Sequence, residues 1–399
     1  MSIPEKIKEL NPQSFASIIP GRRNVIDQAS ADSLPVDYPV NQLANALHPA
    51  VQHVKIASVR EHGSDAKSFT LVPDEGKGTS GLAWFSAGQY VSVFLEIGHS
   101  RLCKPYSICS GPTDAANGSY TLTIKRSVGG FASEYILNNW KVGDSIDISA
   151  PEGTFTYEPL RDAKTIIGIA GGSGITPFHS LASAIADGLE ECDLILLYGS
   201  RTRDSILLKD EFDELEARSS HIKVVHVLSD EKAEGYEHGF ITADLIQKYA
   251  PIGNYSIFLC GPQAMYQFVD SEIAKLNLAQ KWVRHELFGQ FKNPESCDDY
   301  PAEAAGKTFR LTVISRDECH TIDALAGESL LTAMERAGLL APSRCRSGEC
   351  GVCHSYLAEG TVYVPSSMDG RRAADFTYSY IHPCCSFPTS DITLEVPLV

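Results

Sequence analysis

The sequence predicts a multidomain fold: an antiparallel β-barrel, then an α/β doubly wound domain, then a smaller third domain. Three observations support this order. Apolar residues alternate with period two up to about residue 155, short apolar runs alternate with helical stretches from about 163 to 288, and cysteines cluster near the C-terminus. A length of 399 residues suits two to three domains.

Composition excludes several classes of protein. Hydrophobic residues make up 43% and charged residues 21%, which is typical of a globular chain. The formal net charge of −16 argues against a nucleic-acid partner, which would need a basic surface. Neither a membrane span nor a signal-peptide pattern is evident, so we expect a cytoplasmic protein. Eleven cysteines in a reducing compartment suggest a metal or cluster site rather than disulfides.

The first two segments are an N-terminal extension, 1–50, and the barrel, 51–160. The extension is interrupted by prolines, with one short amphipathic run from Asn41 to Leu47. In the barrel, YTLTIKR, QYVSVFLEI and SIDISAP alternate as half-buried strands do, and one helix is expected from about Ala132 to Trp140.

Residues 161–288 form the predicted α/β domain. Its strands are TIIGIA, LILLYGS, IKVVHVL, YSIFLC and WVRHEL, with helices near 177–187, 207–218, 242–250 and 263–277. This alternation predicts a parallel sheet. A linker is expected over 289–306, which is rich in Pro, Gly and acidic residues, and a third domain over 307–399.

The cysteine spacing is the most specific signal. Cys345, Cys350 and Cys353 follow the C-x4-C-x2-C spacing of plant-type [2Fe–2S] sites, with Cys385 as the predicted fourth ligand. Small residues in the loop would let peptide N–H groups point at the sulfur atoms. The alternative, a structural zinc site, prefers paired CxxC motifs. Cys384 and Cys385 are adjacent, and successive side chains of an extended segment point to opposite faces, so only one of them should reach the iron.

A glycine-rich turn marks a candidate nucleotide site. In GIAGGSGITP an apolar strand runs into Gly171, Gly172 and Gly174 and then into a helix that begins near Pro177. Such a turn lets the backbone approach a pyrophosphate at a helix N-terminus. A complete GxGxxG is absent, so an ordinary strand-to-helix turn is the alternative.

Four further motifs become informative together: KPYSICS (104–110), GGFAS (129–133), CGP (260–262) and HELFG (285–289). With GGSGITP they resemble proteins of the ferredoxin–NADP reductase-like family. CRSGECGVC and CSFPTSDITL (385–394) resemble plant-type ferredoxin domains, which have a β-grasp fold. The order flavin, nicotinamide, ferredoxin resembles the reductase components of oxygenases, and it covers nearly all of residues 51–399.

The resemblance implies roles for individual residues. In KPYS, Lys104 stands where the family usually has Arg, Pro105 follows it, Tyr106 packs along the flavin and Ser107 contacts the isoalloxazine. Gly130 and Ser133 belong to a second flavin phosphate loop. Around the nicotinamide the implied residues are Gly171, Gly172, Gly174, Thr176, Arg201, Cys260, Gly261 and Pro262. Glu286 and Phe288 reach the flavin, and the implied catalytic residues are Ser107, Cys260 and Glu286. For the fourth cluster ligand, the C-x-x-P that begins at Cys385 matches related ferredoxin domains.

The implied function is an iron–sulfur flavoprotein reductase. NADH or NADPH would give a hydride to the flavin, and a [2Fe–2S] cluster would pass single electrons to a partner redox protein or oxygenase. FAD is the expected flavin, with FMN as second candidate. Arg201 and Arg203 could bind a 2′-phosphate, whereas Asp230 and Glu231 favour NADH. The alternative function is a non-catalytic redox sensor or an electron-relay subunit of a larger complex.

Overall fold

The computed structural model describes residue 28 and residues 38–127, 129–286 and 289–397. Most of the predicted N-terminal extension therefore lies outside the described residues. Within it, helix α1 spans Pro39–Leu47, somewhat longer than the run expected from the sequence, and all of its residues are exposed. Among the described helices, none is long and apolar enough to cross a membrane.

The first sheet has six antiparallel strands in the order β4-β3-β6-β1-β2-β5. The strands are β1 Gln52–His62, β2 Ala66–Pro73, β3 Tyr90–Ile97, β4 Ser100–Ser107, β5 Tyr120–Lys125 and β6 Ser145–Ile148. Just beyond β4, the Cys109 N–H donates to Thr121 O of β5 at 2.7 Å, which joins the two ends of the sheet. The barrel prediction is confirmed, and its helices are α2 Pro112–Ala116 and α3 Phe131–Asn139.

The period-two pattern places the barrel core as predicted. Tyr120, Leu122 and Ile124 are all buried, in a core shared with β1 to β4. Burial of alternate apolar side chains from every strand is the main force that closes such a sheet.

The second sheet is parallel throughout, in the order β10-β9-β8-β7-β11-β12. Its strands are β7 Thr165–Gly171, β8 Asp193–Ser200, β9 Ile222–Leu228, β10 Glu237–His238, β11 Ser256–Cys260 and β12 Val283–Glu286. The helices between them are α4 Thr176–Ala186, α5 Lys209–Arg218, α6 Ala243–Tyr249 and α7 Gln263–Ala274. The strand order reverses between β7 and β11, and ligands of such folds bind at the carboxyl ends of the strands there.

The third sheet, in the order β14-β13-β19-β15-β17, carries the cysteine loop. The strands of this sheet are β13 Thr308–Ser315, β14 Glu318–Leu325, β15 Ser355–Glu359, β17 Tyr380–Ile381 and β19 Ile392–Glu395. Two further strands, β16 Val362–Tyr363 and β18 Phe387–Pro388, form a separate pair. Parallel pairing of β13 with β19 brings the two ends of the domain together. Helix α8, Leu330–Arg336, packs on this sheet, and α9 spans Ala373–Thr377.

The 289–306 stretch differs from the linker that the sequence predicts. Phe291, Tyr300 and Ala304 are buried in the core of the third domain, and the Tyr300 ring packs edge-on against Tyr363. Apolar side chains spaced this widely give no periodic signal. The stretch is therefore packed onto the third domain and is not a free tether.

The barrel and the nucleotide domain share a continuous core. Phe155, which follows the last strand of the barrel, packs its ring against those of Phe178 and Phe258, with centroids 5.6 Å and 5.0 Å away. His179 and Ser180 of α4 also hydrogen-bond the carbonyls of Cys109 and Ser110 at 2.8 Å each. These contacts fix the flavin motif beside the glycine-rich turn.

Candidate active site

The cysteine loop directs main-chain N–H groups at a sulfur atom, as its small residues predict. The N–H groups of Ser347 and Cys350 each donate to Cys345 Sγ at 3.4 Å. The Cys350 thiol also hydrogen-bonds Cys345, and this lowers the pKa of Cys345 to about 5. Gly348 has a φ of 84°, and a Cβ there would lie 2.1 Å from Met368 O, so the loop requires glycine at that position.

A second sulfur pair lies beside the first, and it involves Cys384. The Cys353 and Cys384 thiols hydrogen-bond each other, and both also interact electrostatically with Cys345. Cys385 Sγ, which the sequence predicts as the ligand, instead donates to His382 O at 3.4 Å. Cys384 also hydrogen-bonds Cys385, so the two thiols are close, but Cys384 is the one against Cys353. Two pairs of thiols fit the donor set of a [2Fe–2S] cluster, which takes two thiolates per iron.

The flavin motif lies at the end of β4. Ser107 is buried, is the last residue of the strand and pairs in register with Tyr90. Tyr106 is also largely buried, and this burial raises the pKa of its hydroxyl. The Lys104 amino group lies 3.7 Å from Glu335 Oε2 of the third domain, so a partner other than a phosphate already faces it. Burial, assisted by the nearby Arg346, lowers the pKa of Lys104 to about 7.

The second predicted flavin loop is closed by its own hydrogen bonds. Ser133 Oγ accepts from the Ser127 N–H at 3.1 Å and donates to Gly130 O at 3.2 Å. A Cβ on Gly130 would lie 2.7 Å from Ser133 Oγ, so glycine is needed for this closure. Gly129 has a φ of 68° with open space around its Cβ position. A ligand could therefore approach this loop at the main chain of Gly129. The Ser133 hydroxyl is already used in hydrogen bonds within the loop.

The glycine-rich turn packs directly on the CGP turn. A Cβ on Gly174 would lie 2.2 Å from Cys260 O, and one on Gly171 would lie 2.4 Å from Met265 Sδ. Gly172, with a φ of 54°, faces open space. Thr176 is buried and donates from Oγ1 to Ser173 O at 3.1 Å. Two of the glycines thus serve close packing, and Gly172 leaves room for a ligand.

Cys260 and Glu286 end neighbouring strands. They are partners in the β11–β12 register, and both are buried. Burial raises the pKa of Cys260 and the pKa of Glu286, which also has Glu349 and Cys345 nearby. Glu286 Oε2 has no hydrogen-bond partner in the described part of the chain.

The Tyr266 hydroxyl joins the ends of strands β11 and β12. It donates to Glu286 O and accepts from the Gly261 N–H at 3.1 Å. Phe288 lies outside the described residues.

A cavity of about 610 Å³ opens at the carboxyl ends of these strands. Gly171, Gly172, Arg201 and Pro262 line it, together with Lys125 and the rings of Phe240 and Phe268, which are tilted by 55° with centroids 5.6 Å apart. Arg203 does not face it and instead pairs with Glu231: its Nε donates at 2.7 Å and its main-chain N–H at 2.9 Å. Four of the predicted nicotinamide residues therefore border one cavity, which suits an elongated, partly apolar ligand. The other four, Gly174, Thr176, Cys260 and Gly261, do not line it.

Tyr90 brings the sites of the three domains together, and sequence reasoning missed it. It pairs with Ser107, and its hydroxyl interacts electrostatically with Cys350, Glu152, Cys345 and Glu286. The ring packs over Gly153, where a Cβ would lie 2.9 Å from Cδ1. No short motif marks Tyr90, because its role depends on strand register and on the packing of two other domains.

Comparison with known families agrees with this division. Residues 53–157 match the oxidoreductase FAD-binding domain, residues 169–271 the oxidoreductase NAD-binding domain, and residues 314–389 the 2Fe-2S iron-sulfur cluster binding domain. The chain thus has the three cofactor-binding domains that the sequence predicts: FAD, NAD and 2Fe–2S.

Whole-chain relatives show the family. The ferredoxin reductase component of 3-ketosteroid-9-alpha-monooxygenase from Mycobacterium tuberculosis is 30% identical over 358 residues, covering 86% of this chain and 94% of the relative. The chain belongs to the family of oxygenase ferredoxin reductase components. A further relative of this reductase is the glycine betaine monooxygenase reductase subunit of Pseudomonas aeruginosa, at 26% identity with 86% and 94% coverage. The NADH oxidoreductase HCR of Escherichia coli is 25% identical, with 78% and 88% coverage.

Solved structures agree with the fold of the reductase. Phthalate dioxygenase reductase, described as a modular structure for electron transfer from pyridine nucleotides to [2Fe–2S], matches with a TM-score of 0.63 and 25% identity. The match covers 87% of the reductase and 98% of that chain. The reductase is an iron–sulfur flavoprotein oxidoreductase that passes electrons from a nicotinamide through flavin and a [2Fe–2S] cluster to a partner redox protein.

Proposed function

We propose that this reductase oxidises NADH and supplies electrons to an oxygenase component. Its relatives are named as monooxygenase reductase components and as an NADH oxidoreductase. The observation that carries the proposal is the junction at Tyr90, where the end of the flavin strand, the end of β12 and the cysteine loop meet. Because the donor site, the flavin site and the cluster loop share one junction, the distances between the three redox centres would be short enough for electron transfer.

The residues at this junction have complementary roles. When bound, FAD supplies two-electron acceptance and the [2Fe–2S] cluster one-electron carriage. Ser107 offers a buried hydroxyl at the flavin position, and Cys260 is buried two residues before Pro262, which lines the nicotinamide cavity. Because burial raises the Cys260 pKa, its sulfur stays a thiol and gives a soft, uncharged contact surface. Glu286, whose pKa is also raised, keeps its proton to higher pH than an exposed glutamate and can donate a hydrogen bond.

For the cluster we propose Cys345, Cys350, Cys353 and Cys384 as ligands, which replaces Cys385 of the sequence prediction. The contact between Cys353 and Cys384 supports this choice, as does the bond from Cys385 to the His382 carbonyl. The position of Pro388 is compatible with either of the two adjacent thiols, and the contact with Cys353 favours Cys384.

For the donor we propose NADH over NADPH. A 2′-phosphate needs free cationic side chains, and Glu231 already occupies both the guanidinium and the main-chain N–H of Arg203. The Glu231 carboxylate would also repel a phosphate placed beside it. Of the cationic side chains in the described part of the chain, Arg201 and Lys125 line the cavity, and Arg203 does not.

We also propose a cytoplasmic location. All eleven cysteines are free, and a reducing compartment would keep the scattered ones in that state.

The proposed function is tested by reconstituting the purified protein and measuring what it contains and reduces. We expect about one FAD and two irons per chain, with acid-labile sulfide. NADH should support reduction of a one-electron acceptor such as cytochrome c at a higher kcat/KM than NADPH does. Bound zinc without labile sulfide, or no NADH oxidation by flavin-loaded protein, would refute the proposal.

A further inference from the structure

A buried ion pair of the third domain contacts an edge of the barrel. Strand β4 is an end strand in the order of the first sheet, so one side of its backbone lacks a neighbouring strand. At Cys103 the N–H donates to Glu335 Oε1 at 3.3 Å, and the carbonyl accepts from Arg346 Nη1 at 3.2 Å. A carboxylate and a guanidinium thus satisfy both polar groups of one barrel residue.

The pair is bidentate and buried. Lys104 also lies 3.7 Å from Glu335 Oε2, and Arg346 Nε has no hydrogen-bond partner in the described part of the chain. Arg346 Nη1 and Nη2 bond Glu335 Oε1 and Oε2 at 2.5 and 2.9 Å, and the two side chains are 2% and 4% exposed. Burial of two charges costs several kcal/mol per ion, and this cost is offset only by good geometry and further hydrogen bonds. Part of that compensation comes from the Cys103 backbone of the other domain.

The contact links the two redox sites through very short stretches of chain. Arg346 directly follows the ligand Cys345, and Cys103 lies four residues before Ser107 on the same strand. Two neighbouring contacts strengthen the link: Cys103 Sγ donates to Ser343 O at 3.0 Å, and Arg344 Nε pairs with Glu152 at 2.6 Å. A shift of the third domain would therefore move the cysteine loop relative to the flavin strand.

We propose that Glu335 and Arg346 are positioning residues that dock the ferredoxin domain on Cys103 and so set the separation between flavin and cluster. The proposal rests on the proposed electron path but makes a separate claim, because the path could exist with a mobile ferredoxin domain. The rate of electron transfer falls steeply with distance. Electrons should therefore pass from flavin to cluster faster when the ion pair holds the ferredoxin domain docked than when that domain must diffuse into position.

The test replaces both charges together, since removing one would leave the other buried and unpaired. In the holoenzyme, Glu335→Met with Arg346→Met should keep the local packing and remove both bonds to the Cys103 backbone. The change also removes the carboxylate 3.7 Å from the Lys104 amino group, so bound flavin is quantified and rates are compared only between flavin-loaded proteins. The matched control is Glu328→Met with Arg336→Met. This ion pair, bonded at 2.6 Å, joins the last residue of the same helix to a residue just before it, and its arginine is 48% exposed. Iron, labile sulfide and the EPR spectrum after dithionite show whether the cluster is assembled.

Two measurements then distinguish loss of domain docking from loss of cluster assembly. Stopped-flow absorbance follows flavin reduction by NADH and cluster reduction separately, and we expect flavin reduction unchanged and cluster reduction slowed about tenfold or more. Mass spectrometry after iodoacetamide follows Cys103, which is 8% exposed in the docked protein and should become reactive, while Cys192 in the nucleotide-domain core stays protected.

The control variant should behave as wild type in both readouts. An assembled cluster with unchanged reduction rate and a protected Cys103 would overturn the proposal. Loss of the cluster in the double variant would also overturn it, because the pair would then serve loop assembly and not docking. Failure of wild-type protein to reduce its own cluster with NADH would instead refute the proposed function.

Discussion

The thiols of Cys384 and Cys385 give the sharpest residue-scale prediction. Cys384 lies against Cys353, and Cys385 donates to the His382 carbonyl. We therefore expect Cys384→Ser to lose or severely destabilise the cluster, measured as iron content and visible circular dichroism. Cys385→Ser, the matched control, should keep both nearly unchanged. The reverse pattern would restore Cys385 as the ligand.

Cys260 gives a second prediction at this scale. It is buried at the end of β11, opposite Glu286 and two residues before Pro262, which lines the cavity. Cys260→Ala should slow flavin reduction by NADH about tenfold and leave flavin content intact, because a contact near the nicotinamide is lost and no flavin contact is. The measurement is anaerobic stopped-flow absorbance, with the buried Cys192→Ala as control. An unchanged rate would remove Cys260 from the site.

Glu231 tests the choice of donor. Glu231→Gln removes the negative charge and weakens the bond to Arg203, so the guanidinium becomes available to a phosphate. We expect the KM for NADPH to fall and the kcat with NADH to change little. Glu237→Gln, which breaks another exposed ion pair of the same domain, serves as control. If the KM for NADPH stays the same in Glu231→Gln, Arg203 has no part in the discrimination.

Residue positions were predictable where a short motif marks them, and their roles stay predictions. Ser107 and Cys260 lie at strand ends that the apolar runs mark, and both reach the junction region. The roles proposed for Tyr90 and Glu335 were not predictable, since each rests on contacts between domains that are distant in sequence. The Ser133 hydroxyl was assigned to a phosphate, but its loop already bonds it twice.

At the scale of elements, the two turns at the ends of β7 and β11 pack as one unit. A Cβ on Gly174 would lie 2.2 Å from Cys260 O, a backbone atom that cannot move aside alone. Gly174→Ala should therefore destabilise the protein by about 2 kcal/mol and weaken NADH binding. Thermal unfolding and the KM for NADH measure the two effects. Gly81→Ala, with open space at its Cβ position, should change neither, and a stable Gly174→Ala protein would contradict the packing.

The elements themselves followed from periodicity. Period two located the barrel strands, and alternating apolar runs located the parallel sheet and its helices, because burial dictates both patterns. Periodicity did not predict the packing of the 289–306 stretch. Phe291 and Tyr300 are buried in the core of the third domain, but isolated apolar residues produce no periodic pattern in the sequence.

At the scale of the whole molecule, the third domain has a core of its own. That core draws on residues from 291 to 396, whereas the barrel and nucleotide cores draw on residues 54 to 283. A chain that ends at Gln290 should therefore fold, bind flavin and reduce ferricyanide with NADH, but fail with cytochrome c. Loss of both activities would mean that the first two domains need the third in order to fold.

The central claim is a path from nicotinamide through flavin to cluster within one chain. Anaerobic mixing of the holoenzyme with NADH tests it most directly, with flavin absorbance and the EPR signal of the reduced cluster followed in time. The account predicts loss of flavin absorbance first and then a growing cluster signal in the same protein, without added acceptor. A flavin that is fully reduced by NADH beside a cluster that stays oxidised, although dithionite reduces it, would contradict the account.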